Sequence, residues 1–134
     1  MEMQYIDKVA WIQIQDRKVL GALSQGKTTY YFPGGKREGN ESDSACLIRE
    51  IKEELSVDLL PETIRFMGVF EAPADGRSPE ILVRMRCYFA DYSGTLHPAS
   101  EIDSYQWLSY ADKLKTSAVV QLIIDDLQRL DLMD

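Results

Sequence analysis

One stretch of 23 residues, Gly35 to Val57 (GKREGNESDSACLIREIKEELSV), constrains this chain more than any other. It opens on a glycine turn, places an acid at Glu41, and runs into a segment of helical periodicity carrying Arg49, Glu50, Glu53 and Glu54. An α-helix advances about 100° per residue, so Glu50, Glu53 and Glu54 fall within an arc of about 100°. Leu47, Ile48, Ile51 and Leu55 occupy the neighbouring arc and are expected to face a core. Like charges at this spacing repel by roughly 0.2–0.5 kcal/mol per pair. A hard divalent cation such as Mg²⁺, which takes oxygen ligands, would remove that repulsion. A glutamate-rich helix face is more often a solvated surface, so the helix alone does not decide the matter.

The flanking residues do. The run is preceded by Phe32-Pro33-Gly34, and its full spacing is G-x5-E-x7-R-E-I-x-E-E-x-S-V. This resembles the Nudix box, G-x5-E-x7-R-E-U-x-E-E-x-G-U, in which U is a bulky aliphatic residue. Every position agrees except the last glycine, which is Ser56 here. So many fixed residue types at fixed offsets make a specific signal. The resemblance implies an α/β fold, a Nudix-like α/β/α sandwich with a mixed β-sheet, a box helix and a C-terminal helix. It also implies a hydrolase that cleaves a nucleoside diphosphate linked to another group, with Mg²⁺ as cofactor and Mn²⁺ as a possible substitute. Mg²⁺ neutralises phosphate oxygens, lowers the pKa of a coordinated water and holds the substrate in line.

The resemblance assigns roles by position in the motif. Glu50, Glu53 and Glu54 are expected to bind metal directly or through water, and Glu41 to complete the cluster through water. Gly34 and Gly35 let the backbone approach closely, and the Gly34 carbonyl is a candidate ligand. Arg49, four residues before Glu53, is expected to pair with it and fix its rotamer. The catalytic set is then Glu53, Glu54, Arg49 and a general base outside the box. Glu101, in the loop ahead of Trp107, is the candidate base by loop position, because mutator-type relatives carry a glutamate in the comparable loop. Glu71 and Asp75 are rivals, and His97 is read as an exposed bystander.

Outside the box, Arg84 and Arg86 alternate on a strand expected over residues 80–90, so they share one face with Tyr88, while Val83, Met85, Cys87 and Phe89 face a core. Two adjacent arginines suit phosphate or carboxylate recognition, which makes both candidate substrate-binding residues. The competing reading is a solvated face paired with surface acids. Tyr30, Tyr31, Phe70 and Tyr88 could stack a base, although aromatic residues beside strands more often belong to a core. Substrate identity stays open. Lys115 to Ala118 lacks the asparagine with which mutator-type relatives read an oxidised purine. Pro73, sixteen residues past Val57, lacks a distinctive ADP-ribose-type context. A non-catalytic nucleotide-binding module is the alternative function, and the intact carboxylate set favours the hydrolase.

At 134 residues the chain is expected to form a single domain, 1–134, long enough to fold without disulfides. A net charge of −7 argues against broad binding to nucleic acid or to anionic membrane. It also means that a phosphate-bearing substrate needs a metal or a local basic patch to approach. Cys46 and Cys87 lack metal-like spacing and read as small buried apolar groups. The start MEMQYID has no basic-then-apolar layout, and no apolar run approaches a membrane span, so a cytoplasmic location is the default expectation. A homodimer is possible, since many relatives are dimers, but no stripe identifies an interface. Strands are expected over residues 9–14, 19–23, 28–32, 64–70, 80–90 and 105–108. Helices are expected from residue 42 or 43 to 55 and over 118–130, the second burying Val120, Ile123, Ile124, Leu127 and Leu130.

Overall fold

A computed structural model describes residues 3–134. The first strand, β1 (Gln4–Ile12), is the centre of the fold. Val9, Ala10, Trp11 and Ile12 are all buried, because both faces of this strand are covered. Val9 and Trp11 point into one cluster with Leu47, Ile51 and Leu55 of the box helix. Ala10 and Ile12 point into the other with Val120, Ile123 and Ile124 of the C-terminal helix. Four consecutive apolar residues are the pattern such a two-sided strand requires. Trp11 satisfies its indole by donating to the Ala90 carbonyl at 3.0 Å.

Short β2 (Ile14–Gln15) turns back into β3 (Lys18–Ser24). Then β4 (Gly34–Gly35) leads into the box helix α1 (Asp43–Leu55). After β5 (Asp58–Leu59) and one 3₁₀ turn come the two long strands β6 (Arg65–Pro73) and β7 (Ile81–Phe89). The chain continues through β8 (Tyr92–Ser93) and β9 (Ile102–Leu108), passes a second 3₁₀ segment, and ends in α2 (Ala118–Arg129). A mixed four-stranded sheet has the order β4-β1-β7-β6, with β1 parallel to β7 and the other pairs antiparallel. A second, antiparallel sheet has the order β2-β3-β9. Helices on the two faces of the mixed sheet make the α/β/α sandwich that the resemblance implied.

Both helices lie where periodicity put them. Ser42 caps α1, its hydroxyl accepting from the Ala45 N–H at 3.1 Å. Differences are local. The strand expected at 9–14 starts five residues earlier. The strand expected as its antiparallel hairpin partner, β3, belongs to the second sheet, where it pairs with β2, after a break at Gln13, and with β9. Residues 28–32 form isolated bridges at Tyr30 and Tyr31, not a strand, because Pro33 and the two glycines follow and the ladder with β1 falls on Gly34 and Gly35. Leu130 caps α2 and is 48 % exposed; the buried position past the helix is taken by Met133. Among the described residues, no helix is long and apolar enough to cross a membrane.

Ser56, the departure from the box, closes α1 in the left-handed conformation at φ 66°. Its N–H donates to the Lys52 carbonyl, and its hydroxyl donates to the His97 carbonyl at 3.0 Å. Glycine would relieve backbone strain of about 1 kcal/mol. Removing the hydroxyl forfeits a partly exposed hydrogen bond of similar size, about 0.5–1.5 kcal/mol. Ser56→Gly is therefore expected to fall within about 1 kcal/mol of the parent. Ser56→Ala, which keeps the strain and loses the bond, should be less stable than Ser56→Gly by about 1 kcal/mol. Urea unfolding of the three proteins checks the order; an alanine variant as stable as the glycine variant would refute it.

Candidate functional site

The box glutamates differ sharply in environment, because α1 packs on β1 and rolls one edge of its acidic face inward. Glu54 is 6 % exposed and accepts the Gly34 N–H at 3.1 Å. Glu50 is half-buried beside it, while the Glu53 side chain is 53 % exposed. Burial pushes the Glu54 carboxyl up to about 8, against the Gly34 N–H, and the Glu50 and Glu101 charges add to the rise. Burial also raises Glu50, opposed by its bond to Arg49.

Arg49 gathers the remaining acids. Its Nε and one terminal nitrogen hold both oxygens of Glu41 at 2.7 and 2.8 Å. Its other terminal nitrogen reaches Glu50 at 2.9 Å and Glu53 at 3.5 Å. This fork holds Glu41 down to about 2. The sequence reading paired Arg49 with Glu53 at i+4, yet Glu41 is the closer and bidentate partner. A contact across a loop has no helical period to reveal it.

The two glycines before the box bring backbone and carboxylate together. Gly34 pairs with Ala10 at φ 148°, and a Cβ there would sit 2.0 Å from the Val9 carbonyl oxygen. A Cβ on Gly35 would fall 2.4 Å from the Glu50 carboxyl carbon, so the absent side chain is the room that Glu50 occupies.

Glu50, Glu54, Gly34 and Gly35 line one side of a cleft of about 650 Å³ between the two sheets. Glu101 lines it too, on the loop before β9, its backbone carbonyl accepting from the Gln25 N–H at 2.8 Å. Asp75 reaches the cleft from the β6–β7 loop and accepts the Ala118 N–H at the start of α2 at 3.4 Å. Glu71 does not; it binds Arg84 at 2.6 Å. His97 is exposed, its N–H on the last turn of α1. Of the four aromatic candidates only Tyr31 lines the cleft. Tyr30 and Phe70 pack on the core, and Tyr88 packs on Phe66 and donates to Asp43 at 2.6 Å.

Arg84 and Arg86 lie elsewhere, contrary to their expected place in the substrate cleft. The register pairs Asp7 with Arg84 and Val9 with Arg86, so both arginines share the face of Val9 and Trp11. The cleft opens on the opposite face, that of Ile6, Lys8 and Val83. Arg84 stacks 4.0 Å over the Tyr5 ring and binds Glu71, and Arg86 lies 4.0 Å from Asp7 and Asp43. Alternation established that the two shared a face but could not say which face met the cleft.

Lys8 is what the sequence reading missed. It stands on the cleft face of β1 between Ile6 and Ala10, a lysine interrupting an otherwise apolar row of Ile6, Ala10 and Ile12. That interruption was the available signal, hidden because the strand was expected to begin one residue later.

Among the described residues, no three His, Cys, Asp or Glu side chains are arranged to hold a metal ion as they stand. Arg49 occupies Glu41 and reaches Glu50 and Glu53, while Glu54 is bound to backbone. The donor set is nevertheless all oxygen, and the Glu50–Gly35 cradle brings carboxylate against backbone, which suits a hard divalent cation. Of the glutamates on the helix, Glu50 and Glu54 face the cleft, with Glu53 held loosely enough to turn.

Without metal, the raised Glu54 has a consequence for stability. The folded protein keeps a proton that the unfolded chain, with an ordinary value of 4.5, releases between pH 4.5 and 8. Stability contributed by this group therefore falls as pH rises through that window, by at most about 1.4 kcal/mol per pH unit. Glu41, held low, acts only below 4.5, where its contribution is lost as pH falls toward 2. Melting in EDTA at pH 5, 6, 7 and 8 should show a decline that Glu54→Gln flattens; parallel curves for the two proteins would contradict the buried-carboxyl account.

Comparison with known proteins gives the same placement. The NUDIX domain family model matches residues 7–122. A search of curated protein sequences returns no match. Among solved structures, the Escherichia coli ORF135 protein is 26 % identical at a TM-score of 0.74, with 96 % of this chain and 92 % of that chain covered. A putative nudix hydrolase family member from Chromobacterium violaceum aligns at TM-score 0.76 and 21 % identity over 97 % of this chain and 81 % of that one. The MutT protein from Methanosarcina mazei Go1 aligns at TM-score 0.75 and 18 % identity over 98 % of each chain. The box, the fold and the family model agree, and the chain belongs to the NUDIX family, hydrolases that act on pyrophosphate bonds.

Proposed function

We propose that the protein is a Mg²⁺-dependent pyrophosphohydrolase of a small nucleotide, a nucleoside diphosphate linked to a further group. The observation that carries this reading is the meeting of Glu50, Glu54 and Glu101 with the glycine backbone of β4 at one cleft, between walls formed by two sheets. When bound, Mg²⁺ would supply charge neutralisation at the phosphates and activation of the attacking water. Glu54, Glu50 and the Gly34 carbonyl are the groups to hold it, with Glu53 recruited from its loose contact with Arg49 and Glu41 kept at a distance by its fork. Mn²⁺ fits the same oxygen donors.

Each remaining residue has a task. Arg49 fixes the rotamer of Glu50 and prevents the acids of the helix from dispersing into solvent. The Gly34 N–H orients the Glu54 carboxyl. Glu101, on a loop, can take the proton of the attacking water at a carboxylate oxygen; its hydroxyl neighbour Ser100 donates to that carboxylate at 2.8 Å. Asp75 is the alternative proton acceptor within the cleft. A nucleoside triphosphate and a nucleotide capped at both ends of its pyrophosphate both fit this chemistry.

The test begins with phosphate or pyrophosphate release from a panel of nucleoside triphosphates, ADP-ribose and nucleotide sugars, with and without Mg²⁺. On the best substrate, Glu54→Gln is expected to lower kcat and Mg²⁺ affinity together. Glu101→Gln should lower kcat by about 10²- to 10⁴-fold, the usual range for general acid–base catalysis, with metal affinity nearly unchanged. Near-parental turnover in Glu101→Gln transfers the role to Asp75. Near-parental turnover in Glu54→Gln refutes the assignment of Glu54 to the metal site, and no release from any substrate refutes the enzyme reading in favour of a binding module.

A further inference from the structure

The basic residues of this acidic protein are distributed unevenly. Arg17, Arg37, Arg49, Lys52, Arg84, Arg86, Lys113, Lys115 and Arg129 each form an ion pair within 4.0 Å. Among the described residues, Lys8, Lys18, Lys27, Lys36, Arg65 and Arg77 form none at that distance. Four of these six, Lys8, Lys27, Lys36 and Arg77, line the same cleft as Glu50, Glu54 and Glu101. They come from four separate segments: β1, the turn after β3, the residue after β4, and the β6–β7 loop. No local sequence pattern brings them together; the fold does.

Lys8 is the fixed member. It projects from the middle of the central strand, half-buried, with its ammonium 5.9 Å from the centre of the Tyr31 ring. Burial, and then the charges of Lys36 and Arg77, act against its protonated form, and the glutamates only partly offset them. A half-buried ammonium facing other cations, with no carboxylate in contact, is electrostatically incomplete, and an anion of several charges in the cleft would complete it. Glu50 and Glu54 lie on the helix wall, while Glu38, Asp75 and Glu101 reach the cleft from loops, interspersed with the four cations.

We propose that Lys8, supported by Lys27, Lys36 and Arg77, grips the phosphate chain of the substrate, and that this wall favours chains ending in an unesterified phosphate over pyrophosphates capped at both ends. The proposal rests on the pyrophosphohydrolase reading and adds to it the class of substrate. A triphosphate ester carries about four negative charges near neutral pH, whereas a doubly capped pyrophosphate carries about two, because the triphosphate has one phosphate more and its terminal phosphate has a second ionisation, near pH 6. Four cations that form no ion pair within 4.0 Å gain more from the first. The four cations also give a polyanion points of contact inside the cleft of a protein of net charge −7.

Binding of inorganic tripolyphosphate, measured by calorimetry in EDTA, tests the wall without hydrolysis or metal. The wild-type protein should bind it, and Lys8→Met should bind about tenfold more weakly, with Lys8→Arg recovering most of the loss. Lys18→Met, which removes an equally unpaired lysine outside the cleft, should bind as the wild type does. In steady-state assays with Mg²⁺, Lys8→Met should lower the ratio of kcat/KM for a nucleoside triphosphate to that for ADP-ribose, chiefly through KM on the triphosphate. No binding by wild type, equal binding by Lys8→Met, or equal losses in Lys8→Met and Lys18→Met would overturn the proposal. Tripolyphosphate binding that depends on Lys8 in a protein that hydrolyses no nucleotide would uphold the wall and fail the hydrolase reading alone.

Discussion

The fork between Arg49 and Glu41 is the contact on which the site depends. It joins the loop after the glycines to the helix that follows, across eight residues, through two short charge-assisted hydrogen bonds. The same guanidinium reaches Glu50, Glu53 and the Lys36 carbonyl. One cation thus organises most of an acidic cluster that would otherwise repel itself. Glu54, which Arg49 does not reach, is instead placed by burial against β1 and by the Gly34 N–H. The division leaves Glu50 and Glu54 facing the cleft and Glu41 on the guanidinium of Arg49.

This arrangement needs the two-sided strand behind it. Val9 and Trp11 receive α1, and Ala10 and Ile12 receive α2, so β1 cannot shift without disturbing both cores. The glycine pair is paired directly to Val9 and Ala10. Backbone, carboxylates and Lys8 are consequently referred to one rigid element, while Glu101, Asp75 and Arg77 arrive on loops. Fixed groups on the strand and helix with adjustable groups above them suit the proposed grip on a phosphate chain.

Much of this was legible in the residues. Helix α1 announced itself through the single arc on which Leu47, Ile48, Ile51 and Leu55 fall, and the box spacing identified its family. Cys46 and Cys87 are buried free thiols, as their isolation implied. What escaped was information about faces and about contacts between distant segments. Alternation grouped Arg84 with Arg86 but was silent on which side of the sheet opened to the cleft; that depends on a parallel ladder with β1, between residues some 77 apart in sequence. The Glu41 fork spans a loop and has no period. Tyr30 and Tyr31 had strand-forming side chains, yet tertiary context reduced them to bridges. Lys8 fell just outside the expected strand and stands near the middle of β1.

The cation site is proposed to lie at the buried Glu50–Glu54 corner beside Gly34, not at Glu41 and Glu53. Crystals grown with Mn²⁺, with data collected near its absorption edge, test this directly. The account predicts an anomalous peak within about 2.2 Å of carboxylate oxygens of Glu54 and Glu50, the distance usual for a small divalent ion on oxygen ligands. A peak confined to Glu41 and Glu53, or none in the cleft at saturating Mn²⁺, would contradict it.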